Sequence, residues 1–125
     1  MTQARQPLLL IVMAPDAERL RGALTLACAE AALGGVAGVF LQLDAVALLK
    51  PPLAAPNDAA HVAQGLPGLA TLVGDALDLG VGIIVCQSGL ALAGLDVRAL
   101  DPRVETGGPV GVLAACGPGV RLAVV

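Results

Sequence analysis

Short apolar runs alternate along the chain with stretches of helical periodicity, and that alternation predicts the elements. Leu8–Met13 is continuously apolar and reads as a first buried strand, closed by Ala14-Pro15-Asp16. Asp16 is placed to cap the helix that follows. There Leu20, Leu24, Ala27 and Ala31 recur on one face, Arg19, Arg21 and Glu30 lie off it, and Gly34-Gly35 ends the pattern. Val36–Leu43, with Phe40 at its centre, predicts a second strand. Asp44 then opens a short apolar turn over Ala45–Leu49, again as a cap, and Lys50-Pro51-Pro52 stops it. Pro51–Gly65, rich in Pro, Ala and small polar residues, reads as a mobile loop.

Leu66–Leu79 predicts a second long helix, with Leu69, Leu72, Val73 and Ala76 on its buried side, and Val81–Val85 a third strand. Gln87–Ala93 reads as a short helix, Gly94–Gly108 as a polar connection, Pro109–Cys116 as a small helix and Val120–Val125 as a terminal strand. Strands alternating with helices over short connections imply an α/β fold. The expected architecture is three-layer α/β/α, a mainly parallel sheet of four to five strands, in a single domain spanning 1–125.

Composition narrows the partners. The 125 residues carry a net charge of −3 and one aromatic residue, Phe40. The cations are scattered and there is no stacking platform, which excludes a nucleic-acid surface. Mean hydropathy is +0.85, yet the longest uncharged stretch, Leu79–Leu95, is broken by four glycines and by Gln87 and Ser88. No spanning helix or secretory leader is expected, and the reading is a cytoplasmic protein. The apolar surplus points instead to burial against further copies of the chain. A lone histidine and three scattered cysteines offer no metal-ligand spacing, and no cofactor motif is present.

Cys86 is the chemical focus. It ends the run Val81-Gly82-Ile83-Ile84-Val85 and precedes the turn Gln87-Ser88-Gly89, at the carboxyl end of a parallel strand where α/β folds gather their chemistry. Backbone N–H groups there favour a thiolate. A rhodanese-type or low-molecular-weight phosphatase loop would need an arginine where Leu92 stands. A thioredoxin motif would need a second cysteine at Gly89. Asp16, Asp44 and His61 lie on segments that could reach the same edge, alongside Gln87, Ser88 and Gly89. Cys28, mid-helix among Ala and Leu, reads as packing, and Cys116 as a partly exposed thiol at a helix end.

From Leu8 onward the order of these parts resembles the DsrE/DsrF/TusD family of small sulfur-handling proteins. The resemblance rests on the strand and Asp-headed, Ala-rich helix ending in Gly-Gly, on Val39–Leu49, and on Gly80-Val81-Gly82-Ile83-Ile84-Val85-Cys86. A Gly-Gly segment before the last strand completes it. The resemblance implies a homotrimer or homohexamer in which Cys86 accepts persulfide sulfur from a donor protein and passes it to an acceptor. The alternative is a non-catalytic homo-oligomeric binding or assembly module with the same fold.

Overall fold

The computed structural model describes residues 5–125. Five strands, β1 (Leu8–Val12), β2 (Ala37–Leu41), β3 (Gly82–Cys86), β4 (Glu105–Gly107) and β5 (Arg121–Val124), form one sheet in the order β4-β3-β2-β1-β5. Every pairing is parallel. Helices flank the sheet, giving the three-layer α/β/α fold expected from the alternation. Register places Leu10, Val39 and Ile83 in one row, and Ile11, Phe40 and Ile84 in the next row, on the opposite face. The reversal between β4 and β5 carries the last crossover back across the sheet.

Helix α1 (Ala17–Ala32) starts where Asp16 predicts: its carboxylate accepts from the N–H groups of Glu18 at 2.9 Å and Arg19 at 3.3 Å. Leu20, Leu24 and Ala27 are fully buried, and Gly34 takes the left-handed conformation (φ +83°) that turns the chain toward β2. Removing the cap in Asp16→Ala is expected to cost about 1 kcal/mol in urea unfolding, leaving the denaturant slope unchanged.

Leu43–Leu49 forms a 3-10 turn after β2. Asp44 is not its cap. Gln42 holds that position without a side-chain bond, because the turn begins two residues earlier than the sequence suggests, and Asp44 lies exposed in its first turn.

The Pro51–Gly65 segment departs most from expectation. It contains helix α2 (Asp58–Ala63) and is tied to α1 through side-chain hydrogen bonds. Buried Arg21 donates to Glu18 at 2.7 Å, to Asp58 at 2.6 Å and to the Pro67 carbonyl at 3.2 Å. Asp58 also accepts from the N–H groups of Ala55 and Leu69, each at 3.0 Å, so one carboxylate joins the chain before α2 and the start of the next helix to Arg21 of α1. Helix α3 (Leu69–Asp78) follows, with Leu69, Leu72, Val73 and Ala76 buried as the periodicity requires.

Helix α4 (Gln87–Ala93) comes directly off β3. The polar connection Gly94–Gly108 hides β4, an edge strand of Glu105-Thr106-Gly107 with no apolar residue to announce it. Helix α5 (Pro109–Ala115) precedes β5. Among the described residues, no helix is long and apolar enough to cross a membrane.

Candidate functional site

Cys86 ends β3 and caps α4, so its sulfur lies at the carboxyl edge of the sheet as the sequence places it. Two chain segments build its surroundings. The first is the opening turn of α4, whose Ser88 and Gly89 N–H groups face the sulfur. The second is the start of the 3-10 turn after β2, where Leu43 adopts φ +48°, a conformation that costs a non-glycine residue about 1 kcal/mol or more. That twist aims the Leu43 N–H at the same sulfur.

None of these groups closes to a formal cap hydrogen bond. Their effect is an electrostatic cradle of three donors from two strands' ends. Burial pushes the Cys86 thiol up, but the N–H groups of Leu43, Gly89 and Ser88 together outweigh it and hold the thiol below its ordinary value.

Gly89 is the keystone of this arrangement. A Cβ there would run into the Leu43 carbonyl oxygen and the Val46 side chain, well inside van der Waals contact. The absence of a side chain lets the 3-10 turn sit directly on α4 and bring Leu43 to the sulfur.

The sulfur is not open to solvent, because Cys86 is only 1 % exposed. The 3-10 turn comes to the sulfur through Leu43, and Leu43, Asp44, Gln87 and Ser88 around it are exposed. Attack on or by this sulfur therefore requires its surroundings to open.

The other residues singled out in the sequence divide. Gln87, Ser88 and Gly89 are at the site. Asp16 is at the same sheet edge after β1 but is committed to capping α1 and to Arg19, 3.8 Å away. Asp44 adjoins Leu43 without a bond of its own among the described residues. His61 is drawn elsewhere: it lies on α2 beside a depression lined by Arg21, Thr25, Cys28 and Leu72, on the outer side of α1 and α3. Cys28 shares that depression, and burial, with Asp75 nearby, raises its thiol above the ordinary value. Cys116 is half-buried at the end of α5, lining a groove at the amino end of the strands and away from Cys86.

Sequence reading had no access to the Leu43 contribution, because the group that matters is an N–H that almost every residue carries. Among the described residues, no group of three or more His, Cys, Asp or Glu converges as a metal centre would need.

No family model and no curated protein matches the chain. Solved structures do. The chain is similar to the ychN protein from E. coli, with a TM-score of 0.70 and 18% identity over 94% of this chain and 98% of that one. It is also similar to BT1422 from Bacteroides thetaiotaomicron, a conserved protein of unknown function, with a TM-score of 0.69 and 13% identity over 96% and 95% of the two chains. At these identities the likeness establishes a shared fold over essentially the whole chain.

Proposed function

We propose that this protein accepts sulfane sulfur on Cys86 and hands it to an acceptor thiol. The observation that carries the reading is the cradle of Leu43, Ser88 and Gly89 N–H groups, which favours a thiolate at the end of β3 with no cation among the described residues acting on it. The resemblance of the chain to the DsrE/DsrF/TusD family points the same way.

The chemistry needs little else. The Cys86 thiolate attacks the outer sulfur of a donor persulfide, forming a new S–S bond as the donor's own S–S bond breaks. The donor leaves as a thiolate and takes up the proton of the transferred sulfur, so no oxidant or reductant is consumed. In the second step an acceptor thiolate attacks the outer sulfur of the Cys86 persulfide and releases Cys86 as thiolate. The same three N–H groups that favour the free thiolate also favour it as the leaving group.

Burial supports a second reading, a non-catalytic assembly or binding module in which Cys86 is simply a packed core thiol. Intact-mass measurement after incubation with a persulfide donor separates the two. Sulfur transfer predicts an added sulfur on the wild type, retained in Cys28→Ser and Cys116→Ser and lost in Cys86→Ser. A reduced, folded wild type that gains no sulfur, and whose Cys86 resists thiol reagents across pH, supports the module instead.

A further inference from the structure

Helix α3 carries two apolar stripes. Leu69, Leu72 and Ala76 belong to the core. The second stripe, Ala70, Val73, Gly74 and Leu77, recurs at i, i+3, i+4 and i+7 and faces residues 99–104, the stretch that leads into β4. Leu49, from the end of the 3-10 turn, and Leu53 after it form a third side. Together these segments enclose a cavity of about 200 Å³. Of its lining, Leu49, Val73, Leu77, Leu100 and Val104 are none of them more than 9% exposed, so the space is recessed and is not a patch of outer surface.

Gly74 is a second, independent observation. It sits in the interior of α3, where glycine costs helix stability relative to alanine. Its φ is not in the left-handed region, and a Cβ built on it would meet nothing within 4 Å. Neither turn geometry nor a close approach among the described residues asks for glycine here; what the missing side chain leaves is cavity. The rim adds a third observation. Asp101 is the one ionisable side chain of the lining, and its carboxylate is already engaged by the Arg103 N–H at 2.9 Å, Nε at 3.1 Å and Nη2 at 3.0 Å. Arg103 Nη1 donates in turn to Asp78, the last residue of α3, at 2.7 Å. One guanidinium thus links the two walls of the cavity and sets their spacing.

We propose that this cavity between α3 and the approach to β4 is a binding site for a small, neutral, apolar molecule the size of a single ring. An apolar cavity of similar size stays free of water and takes up benzene. Ligand pockets for larger molecules start at about 300 Å³, which limits the occupant here to roughly six to nine non-hydrogen atoms. A charged ligand would have to draw Arg103 away from Asp101 or leave its charge unpaired among apolar side chains. A neutral ring instead removes apolar surface from water on both partners, and Gly74 leaves the room for it. None of Leu43, Cys86, Ser88 and Gly89 lines the cavity, so the site is separate from the sulfur chemistry.

The test titrates benzene into the full chain and follows the methyl groups by NMR. Saturable shifts centred on Val73, Leu77, Leu100 and Val104 are expected below about 10 mM benzene. Gly74→Leu should fill the space and weaken binding about tenfold or more, while its thermal midpoint equals or exceeds that of the wild type, because leucine is also the better helix former. Benzoate, the same ring carrying a charge, should leave these methyl groups unmoved. The absence of saturable shifts there, whether water or another chain holds the space, overturns the proposal. An equal response to benzoate overturns it, as does undiminished binding in Gly74→Leu. A lowered midpoint in Gly74→Leu would show that the space is not there to fill and overturns it too. Methyl shifts report the cavity and sulfur addition reports Cys86, so either proposal can fail without the other.

Discussion

Gly89→Ala is expected to be among the most damaging single-atom additions to this protein. The new Cβ meets the Leu43 carbonyl, which is main chain, and Val46, which is fully buried, so no flexible side-chain end can swing aside. Glycine to alanine inside a helix ordinarily stabilises it by about 1 kcal/mol. Here the overpacking term of about 1–3 kcal/mol, aggravated because backbone must move, reverses the sign. Urea unfolding of the variant should show a net loss of about 1–2 kcal/mol.

The more diagnostic consequence falls on Cys86. When the 3-10 turn is pushed off α4, the Leu43 N–H is withdrawn from the sulfur, and one of the three groups that hold the thiol down is lost. Titration of Cys86 reactivity with a thiol reagent, in a background lacking Cys28 and Cys116, should therefore show a higher midpoint pH in Gly89→Ala. At the same time the sulfur should become more accessible, because its surroundings have opened. A faster reaction at high pH with a raised midpoint is the combination expected. An unchanged midpoint would mean that the Leu43 N–H contributes nothing.

The Cys86 neighbourhood shows what a linear sequence can and cannot expose. That a thiol stands where a parallel strand ends follows from the run Val81–Val85 and the turn after it, because apolar continuity and turn residues are local signals. The main helices were equally legible, through the Leu20–Leu24–Ala27 and Leu69–Leu72–Val73–Ala76 stripes. The approach of the 3-10 turn to the sulfur was not. It depends on Leu43 taking a left-handed conformation against its own preference, and on Gly89 permitting contact with a segment more than forty positions away.

Two other failures have the same long-range origin. Pro51–Gly65 has the composition of a loop, but Arg21 and Asp58, separated by 37 positions, anchor it. Strand β4 is Glu-Thr-Gly, and its strand character comes only from pairing with Ile84–Cys86. Tertiary partners, rather than intrinsic preference, made both elements what they are.

Glu30→Gln is expected to be the largest stability loss that leaves Cys86 untouched. Glu30 is 4% exposed, and both its oxygens are engaged: Arg5 donates at 2.7 and 2.9 Å, and Arg121 approaches at 2.8 Å. This one carboxylate ties the end of α1 to the segment before β1 and to the start of β5. The hydrogen bonds from Arg5 and then Arg121 hold it well below the ordinary range, at about 2, against the opposing pull of burial.

A carboxylate whose folded value is depressed stabilises the fold in its charged form. That contribution is complete above the unfolded value near 4.5 and is lost as the pH falls through about 2. Glutamine keeps the shape but removes the charge, so at pH 7 the thermal midpoint should fall by roughly 5–10 °C. Other paired carboxylates also weaken in acid, so the informative quantity is the difference between wild type and variant. It should be constant from pH 7 to about 5 and shrink progressively on further acidification. A difference that persists undiminished at pH 2 would assign the loss to packing rather than to charge. Because Glu30 works at the amino end of the sheet and Cys86 at the carboxyl end, the pH profile of Cys86 reactivity should be the same in Glu30→Gln as in the wild type wherever both are folded. A shifted profile would show that the two ends of this small sheet are coupled.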